Sequence, residues 1–134
     1  MTMPDPRRYA EEWIEAWNAR DVEAVLAHFH DNAVFSSPIA LKLGHGTQGA
    51  VSGKDAIRRY WTSALQLNPE LRFRIDSVHA GVNALVIGFM TQDDVSRAEI
   101  LIFENGLVRA GHGTVTAGVH DAASPNPDDG GLQP

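Results

Sequence analysis

Glu99 and His112 are the residues of this chain best placed for proton chemistry. They lie on either side of Asn105-Gly106, a dipeptide whose two residues accept the positive φ angles of a tight hairpin turn. With Asn105-Gly106 as a two-residue loop, counting outward sets Glu104 opposite Leu107, Phe103 opposite Val108, Leu101 opposite Ala110 and Glu99 opposite His112. Directly opposed residues share a sheet face. The count therefore predicts a carboxylate beside an imidazole, on a face otherwise made of Leu101, Phe103, Val108 and Ala110. A carboxylate orients such a ring and raises its basicity, so His112 would be a general acid or base with Glu99 as its partner. Two other readings stay open: a protonated Glu99 that donates, and a buried polar pair that only satisfies itself. Gly111 and Gly113 flank His112 and either make room for a ligand or relieve crowding in a curved strand.

The remaining chemistry-bearing residues are weaker. Ser36 and Ser37 do not sit in a Gly-x-Ser-x-Gly elbow, which argues against a hydrolase nucleophile. Ser37 either binds a polar ligand group or helps turn the chain before Pro38. His28 and His30 are two residues apart, a spacing that points them away from each other on a helix, and no other pair has a compact metal spacing. No metal and no cofactor is expected, and no phosphate loop or dinucleotide fingerprint is present.

Composition narrows the class. The chain has 134 residues, enough for one domain with one core. A formal net charge of -6, without a run of Lys or Arg, argues against nucleic acid or an acidic membrane as a partner. The absence of cysteine removes disulfides, thiolate metal sites and a Cys nucleophile. Neither a signal peptide nor an apolar run of membrane-spanning length is found, so a cytoplasmic location is expected.

The elements that must position these residues can be read in order. Asp5-Pro6 is a helix start, and Tyr9, Trp13, Ala16 and Trp17 follow at helical spacing until Asn18-Ala19-Arg20 breaks it. Asp21 caps a second helix with the stripe Val22, Val25, Leu26 and Phe29. A short strand covers Ala33 to Ser37, and Pro38 stops its ladder. The segment 39–51 reads as a loop or a poorly formed hairpin. Ser52-Gly53-Lys54-Asp55 has the form of a capping box ahead of a helix that buries Ile57, Tyr60, Trp61, Ala64 and Leu65. Four strands linked by short turns then run from Leu71 to Thr116. The expected division is a flexible arm over 1–4, one domain over 5–117 and a disordered tail over 118–134.

This order is α+β: a curved antiparallel sheet with helices on one face. Leu85-Val86-Ile87 and Ile100-Leu101-Ile102-Phe103 are unbroken apolar runs, which predict burial of both sheet faces. Helices cover one face. A second copy would cover the other, so a homodimer is expected through Leu85, Ile87, Ile100 and Ile102.

Trp13-Ile14-Glu15-Ala16-Trp17-Asn18-Ala19-Arg20-Asp21 and Asp31-Asn32-Ala33-Val34-Phe35, with Gly53 to Arg58, Tyr60-Trp61 and Phe103-Glu104-Asn105-Gly106, resemble NTF2-like proteins of the SnoaL-like branch. The resemblance runs from about Tyr9 to Thr116. It implies a cone, a curved sheet wrapped around three N-terminal helices, with a pocket at the open end. It also implies that Trp13, Trp17, Phe35, Ser37, Trp61, Met90, Leu101, Ala110 and Thr114 line that pocket. Among the acid–base positions of the family's ketosteroid isomerases, Glu99 matches an oxyanion-hole acid. Trp13 stands where a tyrosine would be, and Ser37 where the general base would be. The family's epoxide hydrolases need an Arg and acids where this chain has Phe89, Thr91 and Gly113. The expected function is binding of a small apolar molecule, with cofactor-independent isomerase, dehydratase or cyclase chemistry at Glu99 and His112. The alternative is a non-catalytic ligand-binding, dimerisation or assembly module.

Overall fold

The structure, a computed structural model, describes residues 3–117. The tail expected over 118–134 and the first two residues of the N-terminal arm lie outside the described residues. Helix α1 spans Pro6–Asn18 and starts where expected, the Asp5 side chain accepting the Arg8 N–H at 2.9 Å. Helix α2, Val22–Leu26, is capped by Asp21 onto the Ala24 N–H. Strand β1, Phe29–Ser36, leads into a short helix α3, Pro38–Leu43, and then strand β2, Ala50–Ser52. Helix α4 spans Lys54–Gln66. Strands β3 (Arg74–Ala80), β4 (Ala84–Met90), β5 (Ser96–Glu104) and β6 (Leu107–Gly113) complete the chain. Among the described residues, no helix is long and apolar enough to cross a membrane.

The strands form one curved, unclosed sheet in the order β2-β1-β6-β5-β4-β3. Its β3-to-β6 part is the expected antiparallel meander, but β1 runs parallel to β6, so the whole sheet is mixed. Helix α1 lies against β3 and α4 against β1. The Asn18 side chain anchors the end of α1 by bonding both backbone groups of Phe73, accepting its N–H at 2.7 Å and donating to its carbonyl at 2.9 Å.

Between helices and sheet lies an aromatic core. Trp61 packs edge-on against Trp17, Phe35 and Phe29, with centroids 5.0, 5.2 and 5.4 Å away. Trp13 meets Phe89 at 5.2 Å. Such offset and edge contacts suit the ring quadrupoles and fill space densely.

Several sequence expectations change. The segment 39–51 is neither a loop nor a hairpin throughout, since it contains most of α3 and the start of β2. Ser37-Pro38 is the reason: the Ser37 hydroxyl accepts the Ile39 N–H and Pro38 takes the first helical turn, so the pair starts a helix as well as ending a strand. Ser52 makes no capping box, because Gly53 is the cap of α4 and carries no side-chain hydrogen bond.

The largest change is in the last hairpin. Asn105 and Gly106 have φ of 54° and 83°, as the expected turn requires, and Glu104 pairs with Leu107 and Phe103 with Val108. The next pair is Ile102 with Ala110. Arg109 is an extra residue, a β-bulge that slips the register by one. Beyond it Leu101 pairs with Gly111, Ile100 with His112 and Glu99 with Gly113. Glu99 and His112 therefore lie on opposite faces, and the expected carboxylate–imidazole pair does not form.

The dimer residues divide as well. Ile100 and Ile102 are half-buried on the outer face, but Leu85 and Ile87 are fully buried in the core. Strand β4 alternates with Leu85, Ile87 and Phe89 inward, which leaves Ala84, Val86 and Met90 outward.

Candidate functional site

Alternation along β5 turns Arg97, Glu99, Leu101 and Phe103 inward. Glu99 lies between Ile87 of β4 and Gly113 of β6. From the helices, Tyr9 of α1 and Tyr60 of α4 lie near it, and Trp13, Trp17 and Trp61 belong to the same core. All of these are buried.

Glu99 is only 2% exposed. Burial raises its carboxyl pKa to about 8. Near neutral pH the group is mostly protonated and carries an O–H donor. Tyr9 and Tyr60 stand close enough to feel it. Burial is the main cause that raises the Tyr9 pKa, and the Glu99 charge adds to it. For Tyr60, burial again dominates, a hydrogen bond to Ser37 opposes it, Glu99 raises it and Arg97 lowers it. The Tyr60 hydroxyl donates to Ser37 Oγ at 3.3 Å. Several buried donor atoms here have no hydrogen-bond partner among the described residues: Tyr9 Oη and the indole nitrogens of Trp13, Trp17 and Trp61. Buried donors are nearly always satisfied, so these four are exceptions. A groove of about 270 Å³, lined by Ser36, Ser37, Pro38, Leu41, Gln48 and Gly49, opens beside Ser37.

Of the residues expected to line a pocket, Trp13, Trp17, Phe35, Ser37, Trp61 and Leu101 are buried on the inner side. Met90 and Ala110 are on the outer face, Ala110 because the bulge inverts β6 after Val108. The Thr114 hydroxyl bonds the Ala98 carbonyl at 2.6 Å. His112 lies on the outer face, its Nδ1 2.7 Å from Ser36 Oγ. That pairing follows from the parallel register of β1 and β6, which aligns Ser36 with His112.

Sequence reading missed three residues of this interior. Arg97 is 5% exposed and shares the strand parity of Glu99, Leu101 and Phe103, a signal that was there to be used. Tyr9 and Tyr60 sit in stripes that read simply as apolar. What distinguishes them is nearness to Glu99, which no spacing within a helix reveals. Among the described residues, no group of three His, Asp or Glu side chains could hold a metal ion.

Comparison with known proteins agrees with this architecture. Residues 10–121 match the family model of the SnoaL-like domain. No protein of curated function matches. A SnoaL-like protein of unknown function from Burkholderia thailandensis is similar at 29% identity and a TM-score of 0.75, over 81% of this chain and 91% of that one. An NTF2-like protein of unknown function from Burkholderia pseudomallei is 19% identical with a TM-score of 0.69, over 85% and 92%. TerC, co-crystallised with polyporic acid, is 12% identical with a TM-score of 0.66, over 84% and 92%. A family match over most of the chain, on a curved sheet packed around α1 and α4, places this protein in the SnoaL-like family of the NTF2-like fold.

Proposed function

We propose that the protein binds a small, largely apolar molecule inside the cone and holds an oxygen atom of it with Glu99 in the neutral form. The observation that carries this reading is a buried carboxyl, its pKa raised by burial, in a core that also holds buried donors with no hydrogen-bond partner among the described residues. Aromatic walls suit a flat or hydrophobic ligand, and the O–H and N–H groups suit a carbonyl, enol or phenol oxygen. The similarity to TerC, whose crystals contain polyporic acid, supports a ligand of this general kind. Catalysis would use the neutral Glu99 as a hydrogen-bond donor to a developing enolate, whose α-proton goes to a water or buffer base and returns from it, giving isomerisation, dehydration or cyclisation without a cofactor. A carboxylic acid kept neutral by an apolar site is suited to that role. His112 takes no part, since it lies on the other face.

The density of aromatic packing favours a second reading, a non-catalytic assembly module whose cone is filled by its own side chains. One experiment separates the two. A panel of ketones, enones and phenols is titrated while the fluorescence of the buried tryptophans is followed, and each compound is then assayed for turnover. Ligand-dependent quenching that weakens in Glu99→Gln supports the binding site; a panel with no effect on the tryptophans leaves the assembly reading.

The outer face completes the proposal. The rows Ala84-Ile102-Ala110-Val34 and Val86-Ile100-His112-Ser36 cross four strands without an Asp, Glu, Lys or Arg side chain. A second copy presenting the same surface would cover them, making a homodimer carried by Val86, Ile100 and Ile102.

A further inference from the structure

We infer that Ser36 and His112 form a second site, a nucleophile and its base on the outer face of the sheet, which hydrolyses small activated esters. It is separate from the interior site proposed above and uses none of its residues.

Topology makes the pair. Ser36 is the last residue of β1, and Ser37-Pro38 then starts α3, so Ser36 stands at a strand-to-helix turn. The glycines that mark such a turn in hydrolases are absent, and the partner lies 76 residues on, where no sequence spacing could reveal it. The parallel register of β1 and β6 aligns Ser36 with His112, and the bulge in β6 turns His112 to the outer face. Ser36 Oγ is 2.7 Å from His112 Nδ1, within the reach that proton transfer needs. With the ring proton on Nε2, Nδ1 accepts the Ser36 hydrogen and so activates the hydroxyl. Ile100 and Ser36 flank the ring without a charge, and the other titratable group of the row is His79 on β3, beyond Val86. Among the described residues, no carboxylate shares that row. An imidazole without such a partner suits esters with good leaving groups rather than amides.

A space for the acyl group adjoins the pair. Ser36 is on the wall of the groove of about 270 Å³ beside Ser37. Pro38 and Leu41 give this groove an apolar side, Leu41 being 59% exposed, which suits a short alkyl chain. Gln48, also in the lining, supplies a carboxamide donor for the oxygen that gains negative charge. The groove lies at the β1 and α3 end of the molecule, whereas the dimer contact proposed above is carried by Val86, Ile100 and Ile102 on β4 and β5.

Protons and electrons balance without a cofactor. Ser36 Oγ attacks the ester carbonyl carbon as its proton passes to His112 Nδ1. The bond to the leaving oxygen breaks, and that oxygen takes the proton. Water then attacks the acyl-Ser36 ester, His112 accepts the water proton and returns it to Ser36 Oγ, and the carboxylic acid leaves.

The test uses 4-nitrophenyl acetate as the probe. Nitrophenol release is followed by absorbance, and the acetylated residue is located by peptide mass spectrometry after an acid quench. Hydroxylamine treatment distinguishes acetyl on serine, which it removes, from acetyl on lysine, which it does not. Wild type, Ser36→Ala, His112→Gln and Gln48→Ala are compared, with a thermal melt of each. The expected result is acetyl on Ser36, none at that position in Ser36→Ala, and labelling about a hundredfold slower in His112→Gln, the usual contribution of a general base. Gln48→Ala should label severalfold more slowly. In wild type the rate should rise with pH and level off once His112 is neutral. Acetyl found only on lysines or on an imidazole overturns the nucleophile. Ser36 labelling as fast in His112→Gln as in wild type overturns the base. A wild-type rate that keeps rising in proportion to hydroxide does so too, and needs no variant to fold. A Gln48→Ala rate equal to wild type overturns the donor role of Gln48.

Discussion

Glu99→Gln should stabilise the protein at neutral pH, by an amount that depends on pH. The folded-state pKa of Glu99 is about 8 against an ordinary value of 4.5. The fold therefore binds the Glu99 proton more tightly than the unfolded chain does. Below about pH 4.5 both states are protonated and the carboxyl costs nothing. Between about pH 4.5 and 8 the unfolded chain releases the proton and the folded one keeps it, so stability falls with rising pH at about 1.4 kcal/mol per pH unit. Above about pH 8 the loss levels off at about 5 kcal/mol. Glutamine has nearly the shape of the neutral acid and no proton to lose. The variant should match wild type near pH 4.5 and exceed it by about 3 kcal/mol at pH 7, or roughly 10–15 °C in melting temperature for a domain of this size. Urea denaturation followed by tryptophan fluorescence between pH 4.5 and 8 measures this directly, and taking the difference between the two proteins cancels every other titrating group. A difference that stays constant across that range would refute the argument that Glu99 is held neutral by burial.

Three further outcomes follow from the same geometry. His112→Ala should leave the Glu99-dependent slope of stability with pH unchanged, because its ring bonds Ser36 on the other face; a changed slope in the same denaturation series would contradict the bulged register. Asn18→Ala strips both partners from the Phe73 backbone and should cost about 2–3 kcal/mol in urea denaturation, with no change in the pH slope. Ile100→Lys places a charge in the middle of the outer face and should halve the mass measured by light scattering at micromolar concentration, whereas a monomeric wild type would end the dimer proposal.

The parts of the fold legible in the sequence were those governed by local chemistry. Asp5-Pro6 and Asp21 start helices through their own side chains, and Asn105-Gly106 makes its turn because of its own φ preferences. Period-two alternation along β5 placed Glu99 inside. Features set by distant contacts were not legible. Nothing between Leu107 and Gly113 marks Arg109 as the extra residue, since its place is decided by how β6 pairs with β5 and, on its other side, with β1. The parallel pairing of β1 with β6 is likewise a long-range choice, and it is what brings Ser36 to His112 and Ser37 to Gly113. The candidate site shows the same division. Its acid was found by strand parity, and its apparent partner was lost to one unpaired residue. The tyrosines around it were hidden because aromatic stripes have the same spacing whether or not they meet a carboxyl.

The bulge also sets the two halves of β6 out of phase. Val108 and Gly111 both point inward although three positions separate them, an odd step that a regular strand cannot make. The unpaired residue therefore decides which later residues of β6 belong to the interior, independently of their identity. Removing Arg109 alone would take away the bulge and leave every pair beyond it in place: Val108 and Gly111 would stand two positions apart, both inward, and Glu99 would still face Gly113. The same seven residues paired without the bulge would set His112 beside Glu99, so one unpaired residue, and no difference in composition, keeps the acid and the imidazole on opposite faces.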